Sequence, residues 1–434
     1  MDEGHAPRVG IIGGGLTGLT AAYELTKLRY RVTVYEASDQ LGGLGSGFKA
    51  SGWDWHLDRF YHHLFQSDWA VQHLSREVGA KFFFRTPVTA LWYQGHLYPF
   101  DRPTAILRFP HLTWMQKFRF GLVTLYLRLL RNWSPLERTT AHEWLLRALG
   151  PEIYEIIWQP LLTGKFPKDW QRVNMAWFWA RVHKRSTALG YYVGGFQALM
   201  EKIAEHVRNR GGEIHLRTPV HRITAQENGI VLQTDGSEMR FDRVIATVPA
   251  AVMADLAPDL PADYMTKVCS METVGAQVLI LALKYPLTEG FYWLNLPLGE
   301  FPFLALVEHT NYIDSEYYGG DHIIYLGDYP SRDDPRYQMT KEDLLNLYLP
   351  ALRRFNPSFT PDWIRDSWLC REPYAQPVVP VNYSQQIPSI RTPIPGLYLA
   401  TMSQVYPWDR GSNYAVELGQ EVARLLHEDA IRHR

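Results

Sequence analysis

Two kinds of hydrophobic spacing follow one another at the start of the chain. Residues 9–12 form an uninterrupted apolar run, which is typical of a buried strand in a parallel sheet. Apolar positions then recur at helical spacing over 16–28, and a second strand pattern covers 31–35. Glycines stand between the first strand and the helix. The pattern predicts a strand, a glycine-rich loop, a helix and a second strand in that order.

The spacing of these glycines indicates a loop that binds a dinucleotide. The first glycine permits a tight turn, the second lets a pyrophosphate approach the backbone, and the third lets the helix pack closely on the strand. The amides at the helix N-terminus then point at the phosphates. An acid ends the second strand, where its carboxylate can hydrogen-bond a ribose hydroxyl. The predicted contacts are Gly13, Gly15, Leu16, Thr17, Gly18 and Glu36.

The segment after Glu36 narrows the choice of dinucleotide. It ends in Gly42, Gly43 and Leu44, and it resembles the paired-glycine extension of flavoproteins of the glutathione-reductase-like class. In those flavoproteins the paired glycines lie against FAD, and residues without Cβ allow that close approach. The alternative is a turn in solvent with no ligand. We expect FAD, held non-covalently because neither cysteine lies near the segments expected to contact the flavin ring.

Length and composition exclude several classes of protein. A chain of 434 residues exceeds one ordinary core, which predicts two joined domains. The net charge of -1 gives no indication of a nucleic-acid partner. Cys269 and Cys370, the only cysteines, form neither a secreted disulfide framework nor the C-x-x-C pair of a disulfide reductase. No residue pattern indicates a metal site.

Hydropathy and the position of the first strand bear on localisation. No apolar run approaches the roughly 20 residues of a membrane span. The strand that starts at Val9 leaves no room for a signal peptide ahead of it. We therefore expect a cytoplasmic protein that is soluble or at most peripherally attached to a membrane. The sequence makes no prediction of the oligomeric state.

The remaining pattern mixes helices and strands, which predicts an α/β class with a Rossmann-like cofactor domain. That domain is expected to be discontinuous, built from 1–90, 191–261 and 386–434, with Val220 as a further cofactor contact. An α+β substrate domain is inserted as 91–190 and 262–385. Helices are predicted at 114–133, 140–149, 151–162, 196–209, 341–355 and 412–426, and strands at 213–216, 220–224, 230–234, 244–247, 277–283 and 396–400.

Four stretches resemble the FAD-dependent superfamily of amine oxidases, protoporphyrinogen oxidases and phytoene desaturases. They are the block 13–43, the helical stretch from 140–145 through 161–166, the run 192–199, and the strand 396–400 with its helix. The resemblance implies an FAD-binding domain with an inserted substrate domain. It also implies an oxidoreductase that removes a hydride from an amine, a porphyrinogen-like or an isoprenoid-like small molecule. The expected electron acceptor is dioxygen or a quinone.

The C-terminal segment departs from the pattern of that superfamily. Its members place Gly-Asp after the last strand, whereas this chain has Thr401-Met402, and its acid, Asp409, comes later. This arrangement is similar to UDP-galactopyranose mutases, as is the histidine-bearing segment 52–65. The alternative function is therefore a flavin-dependent UDP-sugar mutase, which uses reduced FAD without net redox change. A third is a binding or scaffold protein that keeps the fold without turnover.

Two segments are expected to reach the flavin ring, and the first contains two successive histidines. His62 is the expected proton donor or acceptor, and Arg59 the anchor for an anionic substrate or the reduced flavin. In an extended chain the side chain of the second histidine points the opposite way. The alternatives are a purely structural histidine and an arginine paired with Asp58 or Asp101.

The second segment runs from Trp408 to Asn413. The amides at the start of the final helix, with Ser412 or Asn413 as the cap, are expected to meet the N1–C2=O edge of the flavin. Asp409 is expected to contact the ribityl or pyrophosphate region, and Trp408 is assigned to the catalytic site. The alternative is a plain capped helix without a ligand.

Three further features each leave two interpretations open. Lys165 either binds a carboxylate or is a surface lysine. Aromatic residues such as Trp177 and Trp179 either wall a pocket for an apolar or planar substrate or fill the core. The basic amphipathic helix 114–133 either rests on an anionic membrane or packs on the substrate domain with its charges in solvent.

Overall fold

The computed structural model describes residues 6–297 and 299–432, and a five-stranded parallel sheet carries the N-terminal motif. The first strand of the chain lies at the centre of this sheet, because it pairs with a parallel neighbour on each side. In spatial order the strands are Glu213–His215, Arg31–Tyr35, Arg8–Ile12, Arg243–Ala246 and Leu397–Leu399. The loop that follows the central strand therefore opens at the carboxyl edge of the sheet, where α/β proteins bind ligands.

The two faces of this sheet are covered differently, as the alternation of side chains along a strand requires. Val9 and Ile11 belong to the core shared with three helices, Leu16–Lys27, Phe196–Asn209 and Ser412–Arg432. Ile12 belongs instead to the core under a three-stranded antiparallel sheet formed by Val220–Gln226, Gly229–Thr234 and Glu238–Phe241. The helix that follows the glycine loop is thereby fixed against two neighbouring helices.

A seven-stranded mixed sheet forms the second main layer. Its strands in spatial order are Ile364–Pro377, Thr273–Leu283, His322–Asp328, Ala305–Glu308, Phe291–Asn295, Val88–Tyr93 and His96–Pro99. In the C-terminal half of the long strand Thr273–Leu283, side chains alternate between two cores. Ile280 packs in the core that contains Val9 and Ile11 of the parallel sheet, and Leu281 packs in a separate core that includes Leu344 of the helix Lys341–Leu352. The sheet thus joins the two halves of the molecule.

The helical segment between residues 103 and 184 differs in detail from the prediction. The helix predicted over 114–133 ends at Leu129. The helix predicted over 151–162 is interrupted by a π-helical turn, Tyr154–Trp158, which precedes Pro160. Proline has no amide hydrogen and cannot donate to the turn before it, so a regular α-helical ladder does not continue there. The helices of this segment are Pro103–Arg108, Trp114–Leu129, Ala141–Leu149, Pro151–Ile153, Gln159–Lys165 and Met175–Lys184.

Shorter elements complete the described chain. Two small sheets pair Gly47–Phe48 with Leu57–Asp58, and Leu189–Tyr192 with both Leu64–Phe65 and Phe82–Arg85. The other α-helices are Trp69–Glu77, Ala250–Leu256, Ala262–Ser270 and Pro335–Gln338. Single helical turns of the 3-10 type are Gly43–Gly45, Ser134–Arg138, His309–Asn311, Ser315–Tyr318, Pro361–Trp363, Tyr383–Gln385 and Met402–Gln404.

The predicted α/β class is confirmed, and most predicted elements are present within a few residues. The helix Phe196–Asn209 has the predicted bounds, whereas the helix predicted over 341–355 ends at Leu352 and the final helix continues to Arg432. The parallel sheet takes its strands from three separate stretches of sequence, and the predicted domain boundaries stay a prediction. Among the described helices, none combines the length and the apolar character that crossing a bilayer requires.

Candidate functional site

Gly13 and Gly18 are glycines for reasons internal to the protein. Gly13 has a φ of +104°, and a Cβ there would lie 2.6 Å from Oγ1 of Thr247. A Cβ on Gly18 would lie 2.1 Å from the carbonyl oxygen of Gly13. Both positions therefore exclude a side chain. As a result the helix Leu16–Lys27 begins directly beside the end of the central strand.

No contact within the described protein requires a glycine at position 15. Its φ of -72° and ψ of 175° suit any residue, and a Cβ there would meet no protein atom within 4 Å. No side chain caps the helix that begins at the next residue, so its first amides lack a side-chain acceptor. A phosphate group fits this space, because it supplies acceptors to those amides and requires a backbone without side chains.

Glu36 and the paired glycines border the same loop. The carboxylate of Glu36 accepts a hydrogen bond of 2.7 Å from the amide of Gly14. The amide of Gly42 donates to the carbonyl oxygen of Gly14 over 2.9 Å. A Cβ on Gly43 would contact only the Cα of Gly15, at 3.5 Å. The structure thus brings the separate parts of the predicted dinucleotide site together around one open space.

Two further predicted cofactor contacts, Val220 and Leu44, lie at the borders of this region. The amide of Thr218 donates to the carbonyl oxygen of Glu36 over 2.9 Å, which brings the start of the strand Val220–Gln226 to the same edge. Leu44 follows the paired glycines and packs, partly buried, against the aromatic core of the helical segment. Their contact with FAD, like that of Leu16 and Thr17, stays a prediction.

His62 and His63 point to different surroundings, as expected for neighbours in extended chain. The ring of His62 lies 5.4 Å from that of Phe196, and the ring of His63 lies 5.1 Å from that of Phe65. The Nδ1 atoms of both histidines are buried and have no hydrogen-bond partner in the described part of the chain. Burial, assisted by the charge of Arg410, lowers the pKa of His62 to about 4. His62 is therefore a neutral imidazole and a weak base at pH 7.

Arg59 is not paired with either carboxylate that the sequence offered. Its Nη2 lies 3.5 Å from Oε1 of Gln40. The carboxylate of Asp101 is paired with Arg102, and Asp58 is buried in a different set of hydrogen bonds. The ion-pair interpretation of Arg59 is therefore wrong within the described residues. Its role as an anchor for an anion stays a prediction.

A compact set of charges surrounds Asp409. The Nζ of Lys165 lies 3.3 Å from Oδ2 of Asp409, and Arg181 donates a hydrogen bond to the same oxygen. Nε1 of Trp177 donates to Oδ1 over 2.9 Å. Burial raises the pKa of Asp409, but the positive charges of Lys165, Arg181 and Arg410 outweigh that effect and hold it below its ordinary value. Asp409 is therefore a carboxylate saturated by donors.

The surface interpretation of Lys165 is wrong. The residue is only 6% exposed, and burial lowers the pKa of its ammonium group well below the ordinary value. Its Nζ also lies 5.3 Å from the ring centre of Trp177, which adds a cation–π contact. The next residue after Asp409, Arg410, contributes a third cation. We call Lys165, Arg181 and Arg410 the cation cluster.

The capping prediction for the final helix is wrong. The helix begins at Ser412, so Ser412 and Asn413 are its first two residues and do not precede it. The amide oxygen of Asn413 accepts hydrogen bonds from the backbone of Ala70 and Val71, at 2.9 and 3.3 Å. Its side chain therefore stabilises the start of the neighbouring helix Trp69–Glu77.

Trp408 belongs to an aromatic stack. Its ring lies nearly parallel to that of Tyr414 with 5.7 Å between centres, and 5.5 Å from the ring of Trp179. The Nζ of Lys184 lies 4.9 Å from its centre. Trp179 is 1% exposed, so at this position the aromatic richness fills a core. The catalytic assignment of Trp408 stays a prediction.

Several side chains that complete the cluster were missed by sequence reasoning. Arg410 donates to Oε1 of Gln376 over 2.8 Å and to the hydroxyl of Tyr329 over 2.6 Å. Gln376 lies on the strand Ile364–Pro377 and Tyr329 directly follows the strand His322–Asp328, and neither belongs to a local motif. The sequence does contain a pattern that could have indicated Arg181. It follows Trp177 by four residues, so both side chains lie on the same side of the helix Met175–Lys184.

Cys370 lies closer to the site than its sequence position suggests. Its thiol lies on the strand Ile364–Pro377, and its pKa responds to the charge of Arg59. Burial nevertheless raises that pKa to about 11. A thiol that stays protonated at pH 7 is a poor nucleophile, which accords with a cofactor held without a covalent bond.

Comparison with known proteins agrees with this geometry. The family model described as flavin containing amine oxidoreductase matches residues 16–427. The chain is similar to 15-cis-phytoene desaturase of Arabidopsis thaliana, with 25% identity over 280 residues that cover 58% of this chain and 49% of that protein. The chain thus spans about half the length of that relative.

Two solved structures show the same fold. A putative protoporphyrinogen oxidase from Exiguobacterium sp. 255-15 superposes with a TM-score of 0.76 at 18% identity, covering 98% of this chain and 99% of that one. Reduced UDP-galactopyranose mutase superposes with a TM-score of 0.77 at 17% identity, covering 97% and 96%. The protein belongs to the flavin-containing amine oxidoreductase family, and FAD is its cofactor.

Replacing Gly15 with valine separates cofactor binding from folding. The Cβ of the added side chain has no protein atom within 4 Å, and the side chain enters the space that fits the phosphate. We expect the dissociation constant for FAD to rise on the order of a hundredfold, since charged hydrogen bonds are lost, while the flavin-free protein melts as the wild type does. Fluorescence titration with FAD and thermal melting measure the two effects. Gly121→Val, at an exposed glycine with equally open surroundings, is the control; unchanged FAD affinity in Gly15→Val contradicts the assignment.

Asp58 makes the stability of the fold depend on pH. It accepts hydrogen bonds from the hydroxyl of Tyr191 and the amide of Phe196, and burial raises its pKa from 3.8 to about 8. The folded chain therefore keeps a proton that the unfolded chain releases, and stability falls as pH rises from about 4 to 8.

An asparagine at position 58 cannot titrate, so Asp58→Asn should gain melting temperature relative to the wild type between pH 5 and pH 8. Asp54→Asn, at an exposed aspartate on the same segment, controls for the loss of one carboxylate. Calorimetry at the two pH values measures the difference. Equal pH dependence in Asp58→Asn and the wild type would show that Asp58 is ionised in the fold.

Proposed function

We propose that the protein is an FAD-dependent oxidoreductase that removes a hydride from a carbon of a small organic substrate. The observation that carries this proposal is the open space beside Gly15, bordered by Glu36 and the paired glycines. When bound, FAD accepts the hydride, and dioxygen or a quinone reoxidises it. The paired glycines against the loop also favour the glutathione-reductase-like class for the cofactor domain. Amines, porphyrinogens and isoprenoids are the substrate types to test.

Residues near the site are assigned three further tasks: accepting a proton, binding an anion and excluding water. The Nδ1 of His62 is buried and has no hydrogen-bond partner among the described residues, so we assign to His62 the acceptance of a proton from the substrate, as a weak base whose pKa burial and Arg410 lower. Arg59 carries a charge without a carboxylate partner in the described part of the chain and is suited to anchor an anion. Trp408 and its aromatic neighbours are suited to exclude water from one side of the proposed active site.

A flavin-dependent UDP-sugar mutase is the second candidate function. The observation that favours it is the late position of Asp409, which is surrounded by cations able to face a diphosphate. The two functions differ in their requirement for reduced flavin. Turnover of UDP-galactopyranose only after dithionite reduction would support the mutase, and anaerobic bleaching of the oxidised flavin by a substrate supports the oxidoreductase.

His62→Ala tests the proton-accepting role. We expect anaerobic flavin reduction by a substrate found in such a screen to slow by about 100-fold or more, with FAD still bound, because a positioned base is lost. His63→Ala is the matched control, since its ring faces Phe65 on the other side of the chain. Stopped-flow absorbance measures the rate, and an unchanged rate in His62→Ala would make this histidine structural.

We further propose that the protein is cytoplasmic and docks on an anionic membrane through the helix Trp114–Leu129. Only Phe120 and Leu127 of this helix are fully buried. Its outward apolar side chains are more than half exposed, with Trp114 at 73% and Phe118 at 64%. They include Trp114, Met115, Phe118, Leu122, Leu125, Tyr126 and Leu129. A continuous apolar face of this kind is uncommon on soluble proteins without a partner.

The basic residues around this apolar face favour an anionic membrane as its partner. From Arg102 to Leu136 the chain carries no Asp or Glu, and it carries the basic residues Arg102, Arg108, Lys117, Arg119, Arg128 and Arg131. Apolar side chains flanked by basic ones match the acyl and headgroup layers of an anionic bilayer. Each such cation near the surface contributes about 1 kcal/mol. The alternative interpretation, that this helix packs on the rest of the protein, explains its buried residues Phe120 and Leu127 but not its exposed apolar face.

Vesicle sedimentation tests the docking face. We expect binding to vesicles of phosphatidylglycerol and phosphatidylcholine, weaker binding to phosphatidylcholine alone, and loss of binding at high salt because charges are screened. Trp114→Ala with Phe118→Ala should reduce binding severalfold. Trp69→Ala is a matched control, since Trp69 is 68% exposed and also begins a helix. Equal binding by the double variant and the wild type, or self-association in place of vesicle binding, contradicts the proposal.

A further inference from the structure

The cation cluster carries more positive charge than the carboxylate it contacts. Lys165 and Arg181 share Asp409, and Arg410 forms no ion pair in the described residues. Arg410 is instead held by the neutral groups of Gln376 and Tyr329. A guanidinium group does not lose its proton in proteins. Two arginines against one aspartate therefore leave a surplus positive charge, whatever the state of Lys165.

Two neighbouring acids of the described chain are engaged elsewhere and do not neutralise this surplus. Asp328, which precedes Tyr329, is 2% exposed and paired with Arg336. Asp58 is hydrogen-bonded to Tyr191 and belongs to another cluster. A positive charge withdrawn from water is costly unless an anion compensates it. The site therefore favours an anionic group from outside the chain.

The cluster is buried but not sealed. The Lys165 side chain is 8% exposed, whereas those of Asp409 and Arg181 are 18% and 26% exposed. A ligand can therefore reach the guanidinium of Arg181 and the carboxylate beside it. Indole and phenol rings border the charges, since Arg181 lies 5.1 Å from the ring centre of Trp177 and Arg410 lies 5.5 Å from that of Tyr329. Such a surrounding suits an organic ion with an apolar body better than a hydrated inorganic one.

The position of Arg410 connects the cluster with the ring-facing segment. Its charge acts on the imidazole of His62 and on the hydroxyl of Tyr61, which the structure also places near Tyr329. Three separate elements meet here: the segment of His62, the start of the final helix, and the seven-stranded sheet. An anion bound by the cluster would lie beside the group proposed to accept the substrate proton.

We propose that the cation cluster binds a carboxylate or phosphate oxyanion of the substrate, so that the molecule oxidised is an organic acid and not an amine. This identification of the substrate class rests on the proposed oxidoreductase function, whereas the binding of an oxyanion does not. An ammonium group at the same place would meet the surplus positive charge and be repelled. The cluster thus discriminates by charge between substrate types that one fold accommodates.

Calorimetric titration of the purified holoprotein tests the proposal with four probes that share one phenyl ring. Benzoate and phenyl phosphate carry an oxyanion, benzamide is neutral, and benzylamine is a cation. We expect binding of at least one oxyanion probe and no measurable binding of the other two. Arg410→Gln and Arg181→Gln should each weaken oxyanion binding by about tenfold to a hundredfold, as loss of a charged hydrogen bond does. Lys168→Gln, at an exposed lysine near the cluster in sequence, should leave it unchanged.

Asp409→Asn separates a ligand site from a structural cluster. If the cluster binds an oxyanion, removing its internal competitor raises the affinity for benzoate or phenyl phosphate. If the charges only hold the fold together, the same change lowers the melting temperature and gains no affinity, which would overturn the proposal. Preferential binding of benzylamine, or equal oxyanion affinity in wild type and Arg410→Gln, would overturn it as well. Flavin absorbance is recorded first, so a colourless protein counts against the oxidoreductase function while the oxyanion result still stands.

Discussion

The close contact between the carbonyl oxygen of Gly13 and the backbone of Gly18 is the constraint on which the site depends. A Cβ at Gly18 would lie 2.1 Å from that oxygen, so the helix Leu16–Lys27 approaches the strand only without a side chain there. This approach places the positive end of the helix dipole at the carboxyl edge of the central strand. Glu36 and the paired glycines then close the remaining sides of one space.

Burial has opposite consequences for the two kinds of basic group near this space. It lowers the pKa of His62 to about 4 and so keeps the imidazole neutral. It cannot neutralise Arg181 or Arg410 in the same way, because a guanidinium retains its proton. The site therefore combines a neutral base with fixed positive charge. A bound oxyanion would offset the positive charge that lowers the pKa of His62 and would thereby strengthen this imidazole as a base.

The sequence predicts the local parts of this arrangement and misses the distant ones. The glycine loop, the acid after it and the paired glycines form one continuous stretch, and turn and helix chemistry act within it. The contact of Arg181 with Asp409 joins residues 228 positions apart, and no local pattern records it. Asn413 was expected to cap its own helix, but its oxygen meets the backbone of Ala70, 343 residues away. Lys165 was ambiguous because its burial depends on packing against residues far away in the sequence, such as Asp409.

Titration of the flavin-free protein with FAD, FMN and NAD⁺ tests the central claim most directly. We expect one FAD bound per chain, with FMN much weaker because it lacks the adenylate half that the glycine loop and Glu36 are placed to hold. We also expect that NAD⁺ does not compete at equal concentration. Equal affinity for FMN and FAD, or preference for NAD⁺, would contradict the claim.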